Sequence, residues 1–162
     1  QMAKADLIAE PGTHEIIMTR TFNAPRDLLF KAMTDPDLVL QWWGQRANST
    51  TVARLEARDG GSWRFVQNDA HGNEFGFHGV YHSVSLDKII DTFEWEGLPG
   101  HVILETMTLE ETENGQTTLT VSSVFQSVVD RDGMLMSGME GGSNESYDRL
   151  DELLEKMYAS KA

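Results

Sequence analysis

Apolar and polar positions alternate with period two through most of the middle of this chain. The segments TTVARLEA (50–57), GSWRFVQ (61–67), EFGFHGVYHSVS (74–85), KIIDTFEWE (88–96), HVILETMTLEE (101–111) and QTTLTVSSVFQ (116–126) are rich in β-branched and aromatic residues. Turn signals separate them: RDGG, NDAHGN, SLD, GLPG and ENG. Connections this short join antiparallel neighbours. THEIIMTRTF (13–22) alternates more weakly and reads as the first strand. After it the spacing becomes helical. NAPRDLLFKAM (23–33) has Pro25 at a first-turn position and Leu28, Leu29, Ala32 and Met33 at helical intervals. In DPDLVLQWWG (35–44), Asp35 can cap a helix, Pro36 fits its first position and Gly44 suits its end.

From Ser127, with Asp130 three residues on as a capping box, to about residue 158 the pattern is helical again. Met139, Tyr147, Leu150, Leu154 and Met157 fall along one side, and Glu145–Arg149 and Glu152–Lys156 are spaced for i,i+4 pairing. The order is strand, two short helices, six strands, long helix. An α+β fold follows, with about seven strands in one antiparallel sheet curled around the C-terminal helix, so that each element buries a single apolar face. Residues 1–12 are expected to be a flexible N-terminal segment, 13–158 a single domain and 159–162 a tail.

Two features do not fit a plain packed core. Gly138, Gly141 and Gly142 lie inside the helical stretch, where each costs roughly 1 kcal/mol against alanine. A kink, a close approach to the sheet or room for a ligand would offset that. Tight packing or a bend is the expectation, so that a methyl at Gly141 or Gly142 would overfill the contact. The second feature is aromatic. Trp63, Phe65, Phe75, Phe77, Tyr81, Phe93 and Trp95 share a parity within their strands, which makes either a large aromatic core or the wall of a cavity. Asp91 has the same parity as Ile89, Phe93 and Trp95. That points its carboxylate inward, although a place near the strand's wet end is the favoured reading.

Charge and composition narrow the function. There are 26 acidic and 13 basic residues, a net charge of −13. That field repels phosphate backbones and anionic membrane surfaces, so neither nucleic acid nor membrane insertion is expected. The chain has no cysteine, which removes disulfides, thiolate nucleophiles and Cys-based metal sites. No apolar run approaches the roughly 20 residues of a membrane span. A cytoplasmic location is the expectation.

Little chemistry is written in the motifs. His78 and His82 have the spacing of helical zinc ligands, but in a strand they stand about 13 Å apart. DRDG (130–133) has its glycine in the wrong place for a calcium loop and reads better as the first turn of a helix. No phosphate loop, dinucleotide fingerprint or Gly-x-Ser-x-Gly occurs. Asp91 and Glu105 are candidates for a carboxylate pair, which no spacing rule demands. No metal or other cofactor is expected, and no motif argues for an enzyme.

TRTFNAPRDLLFKAMTDPDLVLQWWG, GGSWRF, NEFGFHGVYHSV, FEWEGLPGHVILET and DRDGMLMSGMEGGSNESYDRLDELLE together resemble the SRPBCC (START-like) superfamily. Within it they are similar to the branch named for the C-terminal domain of the heat-shock-protein ATPase activator. The resemblance runs from about Glu15 to Leu154. It implies a helix-grip fold with a cavity between sheet and helix. It also implies binding of small apolar ligands as the commonest activity, among members that include carriers, receptors, cyclases and chaperone activators. Many members carry a tryptophan where this chain has Ser143.

Three functions follow. The leading one is binding of a small apolar or amphipathic molecule by Trp43, Trp63, Phe65, Phe77, Tyr81, Phe93, Trp95, Met107, Met139 and Ser143. The others are a chaperone-linked or other protein-interaction module, favoured by a cavity filled with side chains, and a cyclase- or hydrolase-like enzyme, favoured by a buried acid facing an open cavity. Of the adjacent indoles, one is expected to wedge under the short helices as core, with Trp43 at the cavity rim.

Overall fold

The computed structural model describes residues 5–161. One sheet of eight antiparallel strands forms its frame: β1 (Asp6–Ile8), β2 (Glu15–Phe22), β3 (Ser49–Leu55), β4 (Ser62–Asn68), β5 (Glu74–Val84), β6 (Lys88–Trp95), β7 (Val102–Glu111) and β8 (Thr117–Val124). Their spatial order is β1-β2-β8-β7-β6-β5-β4-β3. The short helices α1 (Arg26–Thr34) and α2 (Pro36–Val39) follow β2, and α3 (Val128–Met136) and α4 (Met139–Lys161) follow β8. This is the helix-grip fold, with α4 lying in the curve of the sheet.

Four boundaries differ from the sequence reading. The segment 1–12 contains a strand: β1 pairs with β2 in register Asp6↔Thr19 to Ile8↔Ile17, giving an eighth strand, and residues 1–4 lie outside the described residues. Three residues are too few to show an alternation. Helix α4 continues to Lys161, so the expected tail at 159–162 is helical as far as it is described. Pro25 is the residue before α1 and not within its first turn. The long C-terminal helix is two helices, because Gly138 adopts a left-handed φ of +83° between α3 and α4, a conformation open to glycine at no steric cost.

Gly138 is thus the bend, but Gly141 and Gly142 are not tight contacts. A Cβ built on Gly141 meets nothing within 4 Å, and one on Gly142 meets only Gln45 Nε2, at 3.4 Å. The overpacking expectation is therefore reversed. Gly141→Ala raises stability by about 1 kcal/mol through helix propensity alone, to be measured by urea unfolding. A loss of stability would mean a contact the described geometry lacks.

The main core gathers at one end of the sheet. There Leu150, Leu153 and Leu154 of α4 meet Phe22, Leu29, Leu109, Leu119 and Trp42. Strand β2 alternates strictly, with Ile16, Met18, Arg20 and Phe22 all buried. Arg20 breaks the apolar pattern, which is why the alternation looked weak. It donates from Nη2 to Asp148 (2.9 Å) and Asp151 (2.6 Å) of α4. Helix α4 also pins the turn after α2: Arg149 donates to the carbonyls of Gly44 and Gln41, each at 2.9 Å. The expected i,i+4 ion pairs give way to these contacts, with Glu152 paired instead to Arg46. At the helix starts, Asp35 accepts from Asp37 N–H and Ser127 from Asp130 N–H. The Asp130 carboxylate does not close a capping box. It takes His101 Nδ1 at 2.9 Å.

Candidate functional site

The inner face of the sheet divides between core and cavity. Over part of this face the side chains of β2 and of β4 to β8 stop short of α4, leaving a cavity of about 790 Å³. Of the lining residues, Gln45, Phe75 and Ser137 are also solvent-exposed. They mark an opening between the turn after α2, the start of β5 and the α3–α4 bend.

The two tryptophans after α2 part at this point. Trp42 is 6% exposed, and its indole N–H donates to the Ala32 carbonyl of α1 at 2.9 Å. Trp43 turns the other way into the cavity, edge-on to Phe65 (5.1 Å between centroids) and Phe77 (5.3 Å). Four contacts hold the intervening backbone, one of them from Thr50 Oγ1, which donates to the Trp43 carbonyl at 2.5 Å. Gln67 Nε2 donates to the Trp43 carbonyl at 3.2 Å. Ser146 Oγ donates to the Trp42 carbonyl (3.2 Å) and accepts from Gly44 N–H (3.1 Å). Gly44 has φ +96°, and any side chain there would run into Gln67.

A chain of rings continues from Phe65 to Trp63 (4.8 Å), Trp63 to Phe93 (5.8 Å) and Phe93 to Phe77 (5.6 Å). Gly79, cross-strand from Trp63, makes room for it, since a Cβ there would lie 2.6 Å from the indole nitrogen. Of the ten residues named from the sequence, Trp43, Trp63, Phe65, Phe77, Tyr81, Phe93, Met107, Met139 and Ser143 line the cavity. Trp95 does not. It is the last residue of β6, 42% exposed, with its indole folded over Gly97, where a Cβ would lie 2.3 Å from the ring. Parity sets the face of a residue, but at the sheet's end that face has left the cavity behind.

Asp91 is the larger correction. It is 4% exposed and lines the cavity, directly opposite Glu105 on β7 and next to Tyr81 on β5. A bulge in β5 between Tyr81 and Ser83 sits beside it. The two carboxyls face each other across the β6–β7 register, and each acts on the other's protonation. Asp91 Oδ1 and Trp63 Nε1, both buried, complete no hydrogen bond. Burial, then the Glu105 charge and the sharing of a proton with it, push the Asp91 carboxyl up to about 10, against a smaller opposing effect of the Trp63 indole N–H. Burial pushes Glu105 up to about 7, against a smaller opposing effect of the Asp91 hydrogen bond. The accessible surface of Glu105 faces the cavity, so protein surrounds it although it is only half-buried. Tyr81 is pushed up by burial and then by Asp91 and Glu105, and Tyr147 by burial and then by Glu105 against a smaller effect of Arg20, so both stay neutral over the range in which the pair titrates.

The sign of the pH effect follows from these shifts. A carboxyl raised on folding favours the native state fully below its unfolded value near 4, and that contribution is lost as pH rises through the folded values. The window therefore opens near pH 4 and extends through about 7 toward 10. The double variant Asp91→Asn/Glu105→Gln gains melting temperature relative to wild type as pH rises, by roughly 5–10 °C between pH 5 and 8.5. A pH-independent difference in calorimetric Tm would contradict the buried pair.

No cluster of three or more potential metal ligands occurs among the described residues. His78 belongs to the outer face, where its Nδ1 and Arg64 both engage Glu96 and hold that carboxyl down to about 2.

The family model for the Activator of Hsp90 ATPase homolog 1-like protein matches residues 23–155. The chain belongs to this family. Solved structures agree with the assignment. A Rhodobacter sphaeroides protein is 25% identical with TM-score 0.87, covering 95% of this chain and 99% of its own. One from Staphylococcus epidermidis is 29% identical with TM-score 0.78, covering 91% and 93%. One from Arthrobacter aurescens, at 22% identity and TM-score 0.84 over 93% and 91%, shares the fold. No curated protein matches the sequence. Members of this family commonly bind ligands or act in chaperone-related roles. No helix among the described residues is long and apolar enough to cross a membrane.

Proposed function

We propose that the chain binds a small apolar or amphipathic molecule in the cavity between sheet and helix, as a protein of the cytoplasm. The observation that carries this reading is the cavity itself. At about 790 Å³ it falls within the roughly 300–1,000 Å³ of small-molecule sites. Rings line it, and side chains do not fill it. Burial of apolar area at about 25 cal/mol per Å² supplies affinity, and the few polar groups orient the ligand. A protein-interaction role remains the use that the family's name points to. The acidic surface would then meet a basic patch, with affinity that falls as salt rises.

The test is titration with N-phenyl-1-naphthylamine, which is uncharged at pH 7 and brightens in apolar surroundings. Saturable enhancement at one equivalent, lost on adding a competitor such as dodecanol, supports the cavity. A titration indistinguishable from buffer removes the reading in favour of protein interaction.

A second reading rests on a specific observation, the buried Asp91–Glu105 pair facing the cavity. With one carboxyl protonated and the other ionised near neutral pH, it has the makings of a general acid and a general base. An enzyme would convert its bound molecule, and Asp91→Asn would bind that molecule unchanged.

A further inference from the structure

The acid pair has a feature that apolar binding does not use. It lies on the wall of an aromatic cavity, and among the described residues lining that cavity there is no lysine, arginine or histidine. Arg20, on the same face of the sheet, gives its Nη2 to Asp148 and Asp151 and leaves its buried Nε without a partner, and it does not line the cavity. Asp91 is 96% buried with Oδ1 unpartnered. Among the described residues that line the cavity, then, no cation offsets the charge of the pair, and only a shared proton and the Trp63 indole N–H moderate it. A buried carboxylate without a partner is costly, and a cation that enters removes that cost.

The surroundings favour a particular cation. Ring faces attract a positive group within about 6 Å of their centroids, and Trp63, Phe93 and Tyr81 stand on the strands beside the pair. The net charge of −13 raises the local concentration of cations and opposes anions. A carboxylate ligand, such as a fatty acid, would place a third acid against two.

Resting on the cavity reading above, we propose that this site selects organic amines. The protonated nitrogen is seated between the Asp91 and Glu105 carboxyls, and the apolar body lies among Trp43, Phe65 and Phe77. Binding displaces the proton shared by the pair, which leaves to solvent. The titratable groups that face the pair are Tyr81 from β5 and Tyr147 from α4, both neutral in this range. Amine affinity therefore rises with pH as the pair gives up its protons, through about 7 toward 10, while the amine itself stays protonated up to about 10.

Three probes of one shape test this: 2-(2-naphthyl)ethylamine, 2-(2-naphthyl)ethanol and 2-naphthylacetic acid, each titrated calorimetrically into the full chain at pH 7.5. The expected result is that the amine binds about tenfold or more tighter than the alcohol, with the acid weakest. Proton release, read from the dependence of heat on buffer ionisation enthalpy, accompanies the amine only. In Asp91→Asn/Glu105→Gln the amine loses its advantage over the alcohol. Should that variant fail to fold, proton release by wild type decides the matter alone. An amine that binds no tighter than the alcohol, or releases no proton, overturns amine selection and leaves the cavity reading standing. If none of these probes binds, nor N-phenyl-1-naphthylamine, the cavity reading falls and amine selection falls with it.

Discussion

Arg20→Ala lowers stability by about 3–5 kcal/mol, a fall in melting temperature of roughly 6–20 °C for a chain of this size. The Arg20 side chain is fully buried, and its two carboxylate partners on α4 are themselves 36% and 19% exposed. The guanidinium also lies 5.4 Å from the centre of the Phe22 ring. Truncation leaves Asp148 and Asp151 one turn apart without their cation, beside a void over Phe22. Burial already pushes the Asp151 carboxyl up, with Arg20 opposing that, and without Arg20 nothing opposes it. The companion variant Arg20→Met with Asp148→Asn and Asp151→Asn replaces the ion cluster by neutral groups, and it recovers a large part of the loss. Urea unfolding of the two variants separates the causes. A loss below about 1 kcal/mol in Arg20→Ala would show that the buried ion cluster contributes little to holding α4.

Ser143→Trp has its largest effect on binding. Ser143 lies on α4 and lines the cavity, and a Cβ on Gly142 beside it would meet only Gln45 Nε2, at 3.4 Å. An indole there occupies space that no side chain fills, so stability changes by less than about 1 kcal/mol. N-phenyl-1-naphthylamine binding drops by more than about tenfold. Had neighbouring groups already filled the space, the same substitution would overpack the core and cost about 1–3 kcal/mol. Thermal melts and probe titration of the one variant therefore read both quantities, and a destabilised variant would contradict the cavity geometry.

How far the sequence carries depends on the range of the interaction involved. Strands β3 to β8 were legible because side-chain parity is a local property and each strand had enough positions to show it. Parity also turned Trp63, Phe65, Phe77 and Phe93 inward. It could say nothing of Trp95, because how far the sheet extends past the cavity is not a local matter. Asp91 shows the converse. Its parity pointed inward, and the cost of burying a lone carboxylate argued for water. What outweighs that argument is the protonatable neighbour Glu105, fourteen positions away in sequence and adjacent only through strand register. Arg20 could have been found by the same route, since it has the parity of Met18 and Phe22 and the sequence places acids on the facing helix. The glycines of the last helical stretch were flagged together, but only the backbone angle at Gly138 distinguishes the one that bends from two that merely lack a side chain.

The outermost strands decide how this molecule behaves among copies of itself. An open sheet ends in unpaired backbone N–H and C=O groups, which are templates for edge-to-edge growth. Here one margin is β1, three residues long, too short to seed an added strand. The other is β3, whose pairing shifts between Val52 and Arg54, with the cationic Arg54 exposed at that break. Neither margin offers a long, flat, uncharged row of amides. An eight-stranded sheet can thus stay open at both sides, as gripping a helix requires, without inviting fibrous assembly.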